Sequence, residues 1–511
     1  MSPMTDQPVT FGTAGLRGPM RDGPGGMNVD TVTRATWALA RVLNEHGRGS
    51  TVVVGRDARH QSDDFALAAA EVLAAQGFTV VLLPDAVPTP VVAFAVRHLG
   101  AVAGVQITAS HNPASDNGYK VFAEGGMQII SPTDREIEAA MSAAPVDLAR
   151  IARTEVEPAG TGLIHEYIRR AASVRRGEGD VRVALTPMHG VGGEVAMQVL
   201  RQSGITDVHV VESQYEPDPD FPTVAFPNPE EPGATDQLLA LAAEVDADVA
   251  IALDPDADRC AVGIPTPQGW RMLSGDETGW LLGDYLLAQS DADALPNCVV
   301  ASTVVSSRML AAIAAHHGAQ HVETLTGFKW LARADADLPG STLVYAYEEA
   351  IGHCVDPAVV RDKDGISAAV LVCDLVGALR RDNRTVPEAL DALFRRHGWH
   401  ATAAVSARFP DSAAAATAVA ALREAPPDRL AGHPVTVEDL SLRRGQFQTD
   451  ALILSGGDAD TSVRVVVRPS GTEPKLKSYI EIRLTASDDL KTARAEAQRL
   501  MDDVVAAVER W

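Results

Sequence analysis

Cysteine is scarce in this sequence. There are four in 511 residues, Cys260, Cys298, Cys354 and Cys373, with no Cys-x-x-Cys pair and no regular spacing. Neither a disulfide framework nor a zinc site is indicated. Long apolar runs are missing too: no stretch approaches the roughly 18 residues needed to span a bilayer. The N-terminus, Met1-Ser-Pro-Met-Thr-Asp-Gln-Pro8, lacks the basic start and apolar stretch of a secretory signal. A reduced cytoplasm is the expected compartment. Positive charge is also short, with 44 Lys and Arg against 68 Asp and Glu and a formal net charge of −24. Such a field repels nucleic acid and anionic membranes and counts against both as partners. It repels small anions as well, so any anion site has to be built from a local cluster of Arg and Lys beside glycines.

What is present is ordinary globular composition, 46% hydrophobic and 22% charged. The length suggests three or four domains of about 100–150 residues each. Strand-like apolar runs alternate with helical stretches: helix 28–44, strand 50–55, helix 63–76, strand 79–83, helix 88–99 and strand 101–107. This is the rhythm of a doubly wound sheet. It resumes in two further segments and gives way near residue 398 to an α+β pattern. The expectation is therefore an α/β protein: three related doubly wound α/β domains, 1–160, 161–275 and 276–397, and a C-terminal α+β domain, 398–511.

Several stretches carry chemistry. Thr108-Ala-Ser-His-Asn-Pro113 ends the buried run Ala101–Ile107, and Asp116-Asn117-Gly118 is expected to complete the turn. Ser110 then sits in a tight loop beside the His111 imidazole, where a serine can act as nucleophile. The plainer reading is that these polar groups only satisfy turn hydrogen bonds. Phe11-Gly-Thr-Ala-Gly-Leu-Arg-Gly18 offers close backbone approach, the Thr13 hydroxyl and the forked Arg17 cation. Asp254-Pro-Asp-Ala-Asp-Arg259 places three carboxylates, Asp254, Asp256 and Asp258, at alternate positions on a proline-stiffened loop between apolar runs. They can converge on one hard cation, and Mg²⁺ suits so few protein oxygens. An EF-hand is excluded, since its sixth position would be Arg259 and its twelfth Pro265. The glycines of Thr186–Gly193 only superficially suggest a dinucleotide fingerprint, because its third glycine falls at Val195.

Farther on, Gly327 and Lys329 lie in Thr326-Gly-Phe-Lys329, Glu348 and Glu349 open Glu-Glu-Ala-Ile-Gly-His353, and Lys363 lies in Arg361-Asp-Lys-Asp-Gly365. The two glutamates could bind sugar hydroxyls, and the lysines phosphate; each could equally be a helix cap or surface charge. Arg468-Pro-Ser-Gly-Thr-Glu-Pro-Lys475 is denser in donors than a hairpin turn requires. Its Gly471 turn, the Ser470 and Thr472 hydroxyls and Arg468 can close a phosphate cradle.

The motifs TASHNP, DPDADR, EEAIGH and RPSGTEP, in that order across nearly the whole chain, resemble the α-D-phosphohexomutase superfamily. The resemblance implies four domains around a central cleft, and isomerisation of 1-phospho and 6-phospho sugars through a bisphosphate intermediate. It implies a phosphoserine at Ser110 and Mg²⁺ held by Asp254, Asp256, Asp258 and a phosphoserine oxygen. Arg17 and Arg259 would stabilise the transferring phosphoryl group, and His111 and Lys120 are the candidate proton carriers. Glu348 would contact sugar hydroxyls, while Arg468, Ser470, Gly471 and Thr472 would hold the non-reacting phosphate. Glucose 1,6-bisphosphate or a related bisphosphate would act as activator. The partners implied are phosphorylated small sugars, with the enzyme a monomer or homodimer. Many glucose-type members have a serine where this chain has Ala350. Glu-Glu-Ala-Ile-Gly, with Phe11–Gly18 and Thr-Gly-Phe-Lys-Trp330, looks more like the branch of phosphopentomutases and glucose-1,6-bisphosphate synthases. A phosphatase leaking the same phosphoserine to water, and a non-catalytic sugar-phosphate binding protein, are the competing readings.

Overall fold

The structure is a computed structural model of the chain and describes residues 8–12, 15–47, 49–469 and 475–511. It divides into two compact units, one of Met1–Thr278 with Val344–Asp382 and the other of Gly279–Leu343 with Asn383–Trp511. The expected third segment, 276–397, is thus shared between them.

Among the described residues, two sheets lie wholly in the first unit. In one, Thr51–Arg56 runs parallel to both Thr79–Leu82 and Ala103–Ile107. Val52, Val53 and Val54 are wholly buried, as expected of a parallel strand covered on both faces. Helix Val29–Glu45 starts where the Asn28 side chain accepts the Thr31 N–H, and it buries Val32, Ala35, Leu39 and Val42 at helical spacing. Helix Thr89–Leu99 lies tight against the sheet because Gly104 has no side chain: a Cβ there would stand 2.4 Å from Val96 Cγ2. In the second sheet, Val183–Thr186 runs parallel to Val208–Val210 and to Val249–Leu253, and Cys260–Thr266 returns antiparallel to the last. Helix Gly365–Arg381 belongs to the same unit. Its Asp364 cap accepts the Ile366 and Ser367 N–H groups, and almost its whole length is buried.

In the second unit, Cys298–Thr303 runs parallel to Gln320–Thr324. Five antiparallel strands follow in the order Trp399–Arg408, Lys475–Leu484, Thr461–Pro469, Leu452–Gly457 and Thr436–Asp439. Helices Ser412–Glu424 and Leu490–Val508 pack on this sheet, giving residues 398–511 the expected α+β character. No helix among the described residues is long and apolar enough to cross a membrane.

One local expectation fails. Asp116-Asn117-Gly118 does not turn the chain but opens the strand Asp116–Ala123, antiparallel to Ala103–Ile107. The turn is completed earlier, by Asn112 N–H on Ala109 O and Asp116 N–H on Pro113 O. Asn117 is fully buried, and its amide donates to His60 O and Ser62 Oγ. These distant acceptors satisfy the side chain, so its local turn preference is overridden.

Candidate active site

Both loops with the densest chemistry leave the C-terminal ends of buried strands of the first unit, where open α/β sheets present ligand sites. From Ala103–Ile107 the chain enters Thr108-Ala109-Ser110. Ser110 is buried and takes φ +56°, a left-handed conformation that a non-glycine residue adopts only when its surroundings hold it there. Its N–H donates to Thr108 Oγ1 at 2.9 Å. Its Oγ lies 3.1 Å from Asp254 Oδ2 and 3.2 Å from His111 Nδ1.

The loop Asp254–Arg259 leaves Val249–Leu253 and turns at Ala257, also at positive φ (+54°). Gly190 makes room for it, since a Cβ there would stand 2.3 Å from Pro255 Cα. The glycine cluster that hinted at a dinucleotide site thus seats the acidic loop. Asp254, Asp256 and Asp258 are fully buried, each with one ligand-type oxygen within 4.8 Å of the others. Asp256 Oδ2 accepts Thr89 Oγ1 at 2.5 Å and Lys120 Nζ at 2.6 Å. Asp258 Oδ2 accepts Lys120 Nζ at 2.7 Å, and Lys363 Nζ lies 3.3 Å away. Asp256 Oδ1 and Asp258 Oδ1 are buried with no hydrogen-bond partner among the described residues. Burial and the neighbouring Asp256 and Asp258 push Asp254 well above the usual carboxylate range. Two carboxylate oxygens without a hydrogen bond and a carboxylate raised by burial and like charge are what a hard divalent cation would satisfy, so the residues fit the group.

Cations surround this cluster. Burial opposes the charge on Lys120, but Asp256 and Asp258 outweigh it and raise the ammonium above its ordinary value. Burial likewise opposes the charge on Arg259, and Glu348, Asp254, Glu230 and Asp258 override it. Arg17, on Leu16–Pro19, pairs in register with Gly118 and is lowered by burial despite Asp256. Arg17 Nε and Arg259 Nε are buried donors without a hydrogen-bond partner among the described residues. Burial, with Arg259 and Arg17 adding to it, holds His111 far below the ordinary imidazole value. Glu348 ends Thr342–Glu348, is buried, and is raised by burial against the pull of Lys363 and Arg259. Buried carboxylates and buried guanidinium groups therefore lie close together near one serine hydroxyl, with Arg259 Nε 3.9 Å from Asp258 Oδ1 and 4.0 Å from Asp254 Oδ2, a mixture of charges that suits a metal-bridged phosphoryl group.

Profiles of the phosphoglucomutase/phosphomannomutase α/β/α domains I, II and III match residues 8–145, 165–267 and 274–397. The chain belongs to the phosphoglucomutase/phosphomannomutase family. It is 39% identical over 482 residues to a probable phosphomannomutase of Haemophilus influenzae, covering 92% of this chain and 96% of that one. It is 34% identical over 552 residues to the phosphopentomutase of Mus musculus, covering 98% of this chain and 87% of that one. Among solved structures, a putative phosphomannomutase from Thermus thermophilus superposes with a TM-score of 0.72 at 26% identity, covering 97% of this chain and 99% of that one. The chain is thus an enzyme, a phosphosugar mutase of the phosphohexomutase superfamily.

Of the family motifs, the structure brings together Arg17, Ser110, His111, Lys120, Asp254, Asp256, Asp258, Arg259, Glu348 and Lys363 in the first unit. Lys363, read as a phosphate ligand, has its ammonium against Asp258 and, at 3.8 Å, Asp362. Glu349 follows Glu348 and is half-buried. Gly327, Lys329 and Arg468 lie in the second unit. Gly327 takes φ +112° ahead of the turn Phe328–Leu331, Lys329 Nζ stands 6.0 Å from the Trp330 ring centroid, and Arg468 is half-buried opposite Lys477. Thr13, Ser470, Gly471 and Thr472 lie outside the described residues. Sequence reasoning missed Thr89, Asp57 and Arg59. The last two stand in Gly55-Arg-Asp-Ala-Arg59, at the C-terminal end of the strand parallel to the serine strand, and that position was the available signal.

Proposed function

We propose that this mutase interconverts 1-phospho and 6-phospho (or 5-phospho) sugars through a phosphoserine at Ser110 and a sugar bisphosphate, with glucose and mannose phosphates as first substrates and pentose phosphates as second. The observation that carries the reading is Ser110 Oγ within hydrogen-bond distance of both Asp254 and the His111 imidazole. In the forward half-reaction the Ser110 Oγ–P bond breaks as a bond from phosphorus to the sugar hydroxyl oxygen forms. His111, beside Ser110 Oγ, and Lys120, tied to Asp256 and Asp258, are the candidate proton carriers for the sugar hydroxyl. The buried guanidinium groups of Arg17 and Arg259 would stabilise the charge that spreads over the phosphoryl oxygens. Asp254, Asp256, Asp258 and Ser110 would hold Mg²⁺, which when bound neutralises phosphoryl charge. Glu348 fits a sugar hydroxyl. Arg468, with Ser470, Gly471 and Thr472, would hold the phosphate that does not react. The likeness to a phosphomannomutase and to a phosphopentomutase supports both ring sizes.

The test is incubation of the wild-type enzyme and Ser110→Ala with glucose 1-phosphate, Mg²⁺ and catalytic glucose 1,6-bisphosphate. Isomer formation, with one phosphate mapped to Ser110 by mass spectrometry and none on the variant, is the expected result. Free phosphate without isomer would make the protein a phosphatase. Full activity of Ser110→Ala would remove the phosphoserine from the mechanism.

A further inference from the structure

Arg59 is only 4% exposed. Its four terminal N–H bonds are spent on main-chain carbonyls of a single loop. Nη1 donates to Pro113 O at 2.7 Å and Asp116 O at 3.1 Å; Nη2 donates to Ser110 O at 2.7 Å and Asn112 O at 2.6 Å. Asp57 sets the plane of the guanidinium. Its Oδ2 lies 3.4 Å from Arg59 Nε, and its Oδ1 accepts the Arg59 N–H at 3.0 Å and Ser62 Oγ at 2.7 Å. The Phe221 ring centroid lies 4.9 Å from Arg59 Cζ. A group so engaged is built to shape a loop, not to hold a ligand.

What it shapes is the conformation of Ser110, whose φ of +56° disfavours any side chain. The carbonyl of that same residue is one of the four that Arg59 gathers. We infer that Arg59 is a positioning residue for phosphoryl transfer, fixing the Ser110 peptide so that Oγ stays aimed between His111 and Asp254. The inference rests on the reading of Ser110 as phosphoryl carrier. Arginine is required because its planar fork offers donors in two directions at once. A lysine ammonium keeps the charge but has only three donors, fanned from one point, and cannot span four carbonyls. Because Arg59 donates to the loop alone, its loss acts on the rate of transfer and not on sugar-phosphate affinity.

The experiment uses full-length Arg59→Lys, Arg59→Ala and Ser110→Ala, assayed with glucose 1-phosphate and catalytic glucose 1,6-bisphosphate beside thermal melts. Misplacing a reacting atom by about 1 Å lowers rate by about 100-fold, so Arg59→Lys should lose kcat on that scale while KM stays within about threefold and the melt stays cooperative. Added guanidinium should restore part of kcat to Arg59→Ala without moving KM. Arg59→Lys turning over at the wild-type rate would overturn the inference, and so would a folded Arg59→Ala that guanidinium does not rescue. Loss of the cooperative melt would overturn it as well, since Arg59 would then support the fold at large. These results keep the two claims apart: an active Ser110→Ala removes the phosphoserine reading itself, whereas an inactive Ser110→Ala beside a wild-type-like Arg59→Lys removes only the role of Arg59.

Discussion

Replacing Thr89 by valine exchanges one hydroxyl for a methyl group at the N-terminus of helix Thr89–Leu99. The hydroxyl donates at 2.5 Å to Asp256 Oδ2, while the Thr89 N–H donates to Asp256 O at 2.9 Å. The main-chain bond survives the substitution, so the acidic loop keeps its place and only the carboxylate loses a partner. Oδ2 is then held by Lys120 alone, and the Asp256 side chain is free to rotate its bare Oδ1 out of line. A hydrogen bond to a charged group contributes about 1.5–3 kcal/mol. At about 1.4 kcal/mol per factor of ten, Thr89→Val should weaken divalent-metal binding by about 10–100-fold, the usual effect of losing a partner of a metal ligand. Electron paramagnetic resonance titration with Mn²⁺ measures this without any turnover, and the Mg²⁺ dependence of kcat provides a second reading. Thr89→Ser, which keeps the donor, should stay near wild type. If Thr89→Val binds Mn²⁺ within about twofold of wild type, either Asp256 is not a ligand or Thr89 does not orient it, and the reasoning is wrong.

Ala350 occupies the turn between Glu348 and Gly352, which pair across the hairpin, and it offers no polar side-chain atom beside the candidate sugar site. Measurable turnover of ribose 1-phosphate alongside glucose 1-phosphate is expected. Ala350→Ser should shift the kcat/KM ratio toward hexose by under about tenfold, the worth of one hydrogen bond of ~1 kcal/mol; an unmoved ratio would clear position 350 of any part in specificity. In the second unit, Glu481 accepts Ser307 Oγ at 2.7 Å, Arg308 N–H at 2.8 Å and His400 Nδ1 at 2.9 Å. Burial alone would raise it, but His400 and Arg308 hold it well below the usual carboxylate range. A carboxyl lowered in the folded state stabilises above its unfolded pKa, about 4.3, and that stability is lost as pH falls through the folded value. Glu481→Gln should therefore lower Tm at pH 7 and flatten its decline on acidification, and an unchanged Tm at pH 7 would refute the account.

The acidic triad was legible in the sequence because its members are sequence neighbours on one loop, so alternation alone sets their convergence. The α/β rhythm was legible for a similar reason, since it rests on local apolar runs such as Val52–Val54. Arg59 was not, because it acts on carbonyls 51–57 residues away, and carbonyls carry no sequence identity. Thr89 stands 167 residues from Asp256, and nothing in Pro88-Thr-Pro90 announces that contact. Asp116-Asn117-Gly118 misled in the opposite way. Its turn chemistry is real, but burial of Asn117 against His60 and Ser62 decides the backbone. The Lys363 motif was found while its immediate neighbours were not, since only the fold sets the ammonium beside Asp258.

Helix Gly365–Arg381 packs on helices Thr161–Ala172 and Gly192–Gln202 and on strands Val249–Leu253 and Cys260–Thr266, all encoded about a hundred or more residues earlier. During synthesis the ribosome has to make the intervening stretch, Gly279–Leu343, before this helix exists. At about 5–20 residues per second, the roughly hundred residues between Thr278 and Arg381 take on the order of 5–20 s. For that interval the apolar walls that will receive Ile366, Val370 and Cys373 are open to solvent on the nascent chain. A fragment ending near residue 278 would lack this helix and leave those walls uncovered permanently.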